Sequence, residues 1–328
     1  MLVLGRTDLE KLLAPRDVAD AIAAAFRRHA AGLTHVPERN VVPVTTDGVL
    51  LVMPAVTRAE RSSDVSAGAK LVTWYGGNRA RGVPTVFGTY VLLDGPTGRP
   101  IAIVEGTFLT GLRTGATSAL AGRYLARPDS RRLVCFGAGV QAAFQVRCFA
   151  AELPITHVAV VGRDPERARA FVAAMRTELS ATVELATDPR GAVARADVVT
   201  CATTSSDPVV FGVDVRPGTH VDAVGSFKPD MREVDGETVR RARVFVDTYS
   251  AGLEEPGDIL IPMKEGVLRR ESVAAELTEL VTGTKPGRRT PEDITFFKSV
   301  GFALEDLAAA ELAYRLARER GAGMEVSL

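Results

Sequence analysis

The hydrophobic pattern changes period twice along the chain. From residue 8 to 31 apolar residues recur at helical spacing, with Val18, Ile22 and Phe26 on one face and Asp17 placed to cap it. From 36 to 93 the pattern becomes that of strands. Short β-rich runs at 41–44, 49–53, 69–74 and 85–93 alternate with turn residues such as Asp47-Gly48 and Gly76-Gly77-Asn78. The turn Asp94-Gly95-Pro96-Thr97-Gly98 leads to a further strand at 100–104. This part reads as α+β with a largely antiparallel sheet. Residues 113–126 read as a helix whose small residues Gly115, Ala116, Ala119 and Ala121 permit close packing. Beyond Arg127-Pro128-Asp129-Ser130 strands and helices alternate. Strands fall at 132–136, 157–161, 183–186, 198–202, 220–224 and 244–246, with helices at 140–151, 165–179 and near Ala192. Such alternation implies βαβ units and a parallel sheet. The apolar runs at 158–161 and 198–201 lack alternation, as strands covered on both faces do. Residues 293–320 read as mostly helical and able to return to the first domain.

The junction of the first parallel strand with its helix carries chemistry. Leu133-Val134-Cys135-Phe136 runs into Gly137-Ala138-Gly139-Val140-Gln141-Ala142, a G-x-G-x-x-A motif. The first glycine permits the tight turn, the second admits a pyrophosphate to the backbone, and Ala142 lets helix and strand pack closely. The helix start offers N–H groups and a positive dipole end to phosphates. A strand before, a helix after and a second strand beyond give the motif its confirming context. The fold class is therefore α/β, a Rossmann dinucleotide-binding domain with a parallel sheet joined to an α+β domain. The second strand ends in Val161-Gly162-Arg163-Asp164-Pro165. An acidic side chain that would meet the ribose hydroxyls of NAD is replaced by Gly162, and Arg163 suits a 2′-phosphate. NADP(H) is favoured over NAD(H). Asp164 caps the helix that opens on Pro165.

Composition narrows the partners. Forty basic residues balance forty acidic ones among 328. That balance gives no electrostatic reason to expect nucleic acid or an anionic membrane. No signal peptide or membrane-spanning run is visible, so the expected location is the cytoplasm. Cys135, Cys148 and Cys201 suggest neither a disulfide framework nor a zinc site, and no metal cluster is expected. The four histidines, His29, His35, His157 and His220, lie in no catalytic motif. Arg39, Lys70 and Arg113 remain as candidates for holding a small anion. Taken singly, each reads as a solvated surface charge. Arg113 departs from that reading because its neighbours in Thr110-Gly111-Leu112-Arg113-Thr114-Gly115-Ala116 are small and apolar.

Several segments in order along nearly the whole chain resemble the ornithine cyclodeaminase/mu-crystallin family. They are Gly68-Ala69-Lys70-Leu71-Val72, Pro84-Thr85, the stretch around Arg113, the glycine motif, Val224-Gly225-Ser226-Phe227-Lys228-Pro229-Asp230-Met231-Arg232-Glu233-Val234-Asp235, Glu255-Pro256-Gly257-Asp258 and Phe297-Lys298-Ser299-Val300-Gly301. The resemblance implies a homodimer in which residues 1–115 with 303–328 form a substrate-binding and dimerisation domain. Residues 116–302 would form the NAD(P)-binding domain. It carries the family's carboxylate-binding cations onto Arg39, Lys70 and Arg113. Cofactor contacts are implied at Thr85, Thr114, Gly137, Gly139, Val140, Gln141, Arg163, Thr203, Ser226 and Ser299. Phe227 and Val300 would face the substrate, with simple core packing the other reading of Phe227.

One departure guides the choice of reaction. Cyclodeaminases of the family carry an aspartate two residues after the glycine matching Gly225, and here that position is Phe227. Asp230 lies nearby but aligns elsewhere and reads as a cap for the following helix. The expected activity is reduction of cyclic imino acids, Δ1-pyrroline-2-carboxylate or Δ1-piperideine-2-carboxylate, to L-proline or L-pipecolate. Lys70 would assist proton delivery to the imine nitrogen. An ornithine or lysine cyclodeaminase, an open-chain amino-acid dehydrogenase and a crystallin-like binding protein without turnover are the alternatives.

Overall fold

The computed structural model describes residues 1–58 and 65–327. Residues 59–64 and 328, which fall inside the stretches 1–115 and 303–328 assigned above to one domain, lie outside the described residues. The chain divides into two compact units, Met1–Arg113 with Phe302–Leu328, and Thr114–Gly301.

The first unit opens with β1 (Leu2–Leu4), α1 (Arg6–Leu12) and α2 (Pro15–Ala30). The helical period expected from 8 to 31 is thus broken at Leu13-Ala14. Pro15 cannot donate to the preceding turn, and it opens a second helix instead. Ala14, not Asp17, is the N-cap; Asp17 lies in the first turn, where it still favours the positive helix end. Next come β2 (Thr34–His35), β3 (Asn40–Thr45), β4 (Gly48–Thr57), β5 (Ser66–Tyr75), β6 (Val86–Asp94) and β7 (Pro100–Glu105). They lie mostly antiparallel, in the order β7-β6-β5-β4-β2, with β3 also paired to β4. β1 joins β7 in parallel. Helix α3 (Gly106–Leu125) then begins directly after β7, seven residues before the expected start at Arg113. Arg113 consequently sits within a helix rather than at its first turn.

The second unit contains β8 (Arg132–Phe136), α4 (Val140–Glu152), β9 (His157–Val161), α5 (Pro165–Glu178), β10 (Thr182–Leu185), α6 (Pro189–Ala194), β11 (Val198–Cys201) and β12 (His220–Ala223). After these come α7 (Gly236–Arg241), β13 (Arg243–Val246), α8 (Tyr249–Gly252), α9 (Gly257–Lys264), β14 (Ala275–Glu276), α10 (Leu277–Thr282) and β15 (Thr295–Lys298). All eight strands are parallel, in the order β10-β9-β8-β11-β12-β15-β13-β14. Strand β15 was expected to be helical. Thr295-Phe296-Phe297-Lys298 is instead inserted between β12 and β13 and wholly buried, where the pull of the sheet outweighs a short run's local preference. Asp164 caps α5 by accepting from Glu166 and Arg167 N–H. Asp235, not Asp230, caps the following helix α7, accepting from Thr238 N–H.

The chain returns to the first unit through α11 (Ala303–Arg320) and β16 (Met324–Glu325), the latter pairing with β1. Most of α11 is buried, and it packs on α2 and on β4, β5 and β6. Among the described residues no helix is long and apolar enough to cross a membrane.

Asp197 anchors the N-terminal edge of the parallel sheet. Its carboxylate accepts N–H bonds from Arg131 and Arg132 at 2.8 and 2.9 Å and pairs with Arg127 and Arg216. Burial opposes its ionisation, but the two N–H groups and two guanidinium groups outweigh burial and hold its pKa below the usual carboxylate range. A depressed pKa contributes stability that is present above the unfolded value and lost as pH falls through the folded one. Asp197→Asn should therefore lower the unfolding midpoint at neutral pH and shrink the loss of stability in acid. Urea unfolding of both proteins between pH 7 and strong acid checks this; parallel acid limbs would refute it.

Candidate active site

The first unit gathers a buried ionic cluster. Lys70 lies mid-strand in β5, opposite Met53 of β4 and Tyr90 of β6. It is only 1% exposed, and Arg113 only 5%, so neither is the solvated charge that its type suggests. Both are held by α11. Lys70 Nζ stands 2.8 Å from Asp306 Oδ2. Arg113 donates through Nε to Asp306 Oδ1 at 2.9 Å and through Nη1 to Glu305 Oε2 at 2.6 Å. These two bonds fix the plane of the guanidinium.

Electrostatics follow from the packing. Burial, together with the Arg113 cation, pushes the Lys70 ammonium down to about 8 against the pull of Asp306. Burial also disfavours the Arg113 cation, but Asp306 and Glu305 outweigh it and hold its proton more tightly than usual. Tyr90, opposite Lys70, is fully buried with its hydroxyl unpartnered among the described residues. Burial first, then Asp306 and Glu311, drive its pKa well up. Arg39 is half-buried in the connection from β2 to β3. Asn40 pairs with Val52 and Met53 pairs with Lys70, so the register puts Arg39 one residue beyond that pairing, level with Met53. Thr85 is half-buried just before β6, and its carbonyl accepts from Tyr75 N–H.

In the second unit the strand order reverses between β8 and β11, the switch point at which open parallel sheets bind ligands beyond their C-terminal ends. The glycine motif leaves β8 there. Gly137 has φ 118°, which favours glycine, and a Cβ on it would lie 2.6 Å from the Ala202 carbonyl. Gly139 is the N-cap of α4 and supplies no side chain to its first turn, whereas Asp164 and Asp188 cap α5 and α6. Space around Gly139 is open, and Val140 is 70% exposed. Backbone groups with room for phosphate are what a dinucleotide requires. Gln141 and, in α3, Thr114 are half-buried.

Past β9 a side chain at Gly162 would collide with Ala168, its Cβ only 2.7 Å from that methyl carbon, so no acidic group fits there. Arg163 follows, exposed. The turns after β11, β12 and β15 are set by buried carboxylates. N–H groups of Thr203, Gly225 and Ser226 converge on Glu233. Asp247 Oδ2 accepts from the Ser299 hydroxyl at 3.0 Å and from the N–H groups of Val300 and Gly301 at 2.7 and 2.8 Å. The hydroxyls of Ser226 and Ser299 are thus engaged inside the fold, the former with the Met231 carbonyl. Thr203 and Val300 are half-buried. Phe227 is 40% exposed, so it is not a core side chain.

Sequence reasoning found the cations but missed the acids that hold them. Glu305 and Asp306 read only as polar positions of a helix. Glu233, Asp258 and Lys298 stand within segments that carry the family resemblance but had no role attached. Asp247 had no signal at all.

Comparison with known proteins identifies the family. The model of the ornithine cyclodeaminase/mu-crystallin family matches residues 1–321. A Δ1-pyrroline-2-carboxylate reductase of Bacillus cereus is 34% identical over 328 residues, covering 99% of each chain. The structure of the Thermococcus litoralis Δ1-pyrroline-2-carboxylate reductase, in complex with NADH and L-proline, is 40% identical with a TM-score of 0.94, covering 99% of this chain and 100% of that one. An archaeal alanine dehydrogenase dimer with bound NAD is 31% identical with a TM-score of 0.91, covering 100% and 99%. The chain belongs to the ornithine cyclodeaminase/mu-crystallin family.

Proposed function

We propose that the chain is a nicotinamide-dependent reductase of cyclic 2-imino acids, taking Δ1-pyrroline-2-carboxylate or Δ1-piperideine-2-carboxylate to L-proline or L-pipecolate. The observation that carries this reading is the buried Lys70–Asp306–Arg113–Glu305 cluster, coupled with an apolar Phe227 where cyclodeaminases place a carboxylate. Two cations balanced by two carboxylates form a neutral, rigid base. Arg39, in register with Met53 beside Lys70, is assigned as a further cation for the substrate carboxylate. The named activities of the Bacillus and Thermococcus relatives support the same substrate class.

The residues divide the work. Arg39 and Arg113 hold the carboxylate and fix the ring. A bound reduced nicotinamide supplies hydride to C2. Lys70, protonated below its lowered pKa, gives a proton to the imine nitrogen as C=N becomes CH–NH and recovers it from water. No base is needed to activate an amine, so Phe227 in the aspartate's place is compatible with reduction and adverse to cyclodeamination. Thr85, Thr114, the Gly137–Gln141 loop, Thr203, Ser226 and Ser299 are assigned to the dinucleotide. Phe227 and Val300 are assigned to the ring. The first unit takes the substrate-binding and dimerisation role, the second the dinucleotide.

The experiment is dinucleotide oxidation, followed by absorbance, with each imine and with NADH or NADPH, beside L-ornithine plus NAD+. We expect imine reduction whose kcat/KM falls as pH rises through about 8, where Lys70 loses its proton. Ornithine turnover without imine reduction would reject the reductase. Binding of cofactor and imine without turnover at any pH would leave a binding protein.

Two finer assignments have their own tests. The chain carries Gly162-Arg163 where an NAD site presents an acid, and on this ground NADP(H) is assigned over NAD(H). Arg163→Ala should raise KM for NADPH by about tenfold, the size of one lost charge-assisted contact, and leave NADH unchanged. Equal effects on both cofactors would remove the preference. A homodimer is assigned because β3 exposes Val41, Val42 and Val44, with Leu71 and Phe87 exposed on β5 and β6. Apolar side chains grouped on one sheet call for cover by a second copy. Light scattering should give twice the chain mass, and Val42→Asp should halve it. A monomeric wild type would overturn the assignment.

A further inference from the structure

Glu233 is a buried acid of the second unit whose carboxylate bonds go to the turns after two different strands. Its Oε1 accepts from Thr203 N–H at 2.6 Å, the turn after β11. Its Oε2 accepts from Gly225 N–H at 2.7 Å and Ser226 N–H at 3.2 Å, the turn after β12. One carboxylate thus spans two successive strand ends beside the switch point. The fit is tight. A Cβ on Gly225 would fall 2.0 Å from the Thr203 carbonyl oxygen and 2.5 Å from Glu233 Oε1. No side chain other than hydrogen lets the two turns close on the carboxylate.

Glu233 is itself held on every side. Its carbonyl accepts from Val209 and Val210 N–H, and its own N–H donates to Asp258 Oδ1 at 2.6 Å. Asp258, at the start of α9, takes Val234 N–H as well and pairs with Lys298 Nζ at 3.2 Å. Lys298, Asp258 and Glu233 are all fully buried. A lysine at the end of β15 therefore anchors an aspartate, which anchors the glutamate that joins the turns after β11 and β12. Burial of charges without water is costly, so a chain of them marks a place where geometry must be held.

We propose that Glu233 is a positioning residue for the dinucleotide. Its carboxylate sets the spacing of the turns at Thr203 and Gly225-Ser226, and the Asp258–Lys298 pair holds it in register. The backbone of these turns meets the cofactor, and Glu233 acts only through them. This rests on the reading of the strand ends as the dinucleotide site. Fully buried Asp222 provides the internal comparison. Among the described residues it accepts from the Thr200 hydroxyl and holds no turn N–H.

Fluorescence titration with NADH and NADPH tests the proposal on the full chain. Glu233→Gln must face an amide N–H₂ toward at least one turn N–H, donor against donor. We expect its dinucleotide Kd to rise about tenfold or more, the scale of one buried bond turned repulsive, while KM for the imine at saturating cofactor stays put. Asp222→Asn should lower the unfolding temperature but leave that Kd within about twofold of wild type. Asp258→Asn, which keeps an oxygen for the Glu233 and Val234 N–H groups and loses the charge, should raise Kd by a smaller factor. A Glu233→Gln protein binding dinucleotide as wild type does, or an Asp222→Asn protein weakened as much, would overturn the proposal. If Glu233→Gln does not fold, an unchanged Kd in Asp258→Asn overturns it. Wild-type protein that binds neither dinucleotide would overturn the cofactor reading itself.

Discussion

The first unit depends on a bond between its last helix and its sheet. Asp306 on α11 meets both Lys70 from β5 and Arg113 from α3, and Glu305 beside it takes the other side of the guanidinium. Three elements distant in sequence converge on one helical turn. None of the four side chains exceeds 6% exposure. Removing one partner would strand a buried charge, so the cluster is cooperative in the strict sense that each member needs the others. It also explains why a helix as polar in sequence as α11 is buried along most of its length. Its buried acids Glu305 and Asp306 face cations, and its alanines allow the sheet and α2 to approach.

The same economy governs the second unit. In a parallel sheet the strands finish together at one edge, and the turns leaving them carry N–H groups that need acceptors. Glu233 and Asp247 supply these acceptors for the turns after β11, β12 and β15. At α4 the N-cap is Gly139, which has no side chain to supply one. The turn after β8 has open space at Gly139, where the proposed dinucleotide would bind, whereas the turns after β11, β12 and β15 bond the protein's own carboxylates. A phosphate-binding edge is thus defined as much by where acids are present as by where one is absent.

These facts set what the sequence could disclose. The parallel strands and the glycine turn were legible because their signals are local: apolar runs of strand length, and glycines where φ or space demands them. Lys70 and Arg113 were legible through the segments around them, though not their burial. Their partners lie about two hundred residues away in a helix whose pattern gives no hint that its acids point inward. The insertion of β15 between β12 and β13 was invisible for the same reason. Its four residues have two neighbours in the sheet, and only tertiary pairing makes them a strand. The break at Pro15 was readable and was overridden by the apolar period on either side of it.

The stability of such clusters is not a sufficient reason for them. Apolar side chains of similar volume replace buried ion pairs at little or no cost to stability, whereas losing a single member is severe. A fold needing only a core between α11 and β5 would be served as well by leucine at 70 and 306. What leucine does not provide is a cation whose pKa lies at about 8 and a guanidinium locked in one plane. Those are the two properties that the proposed reduction of an imino acid would ask of the protein, one to release a proton near neutrality and one to meet a carboxylate in a fixed plane. The acids are therefore best understood through the cations. Burial and the Arg113 cation lower the Lys70 pKa to about 8 and Asp306 opposes the fall, a balance that suits the proton donor proposed above.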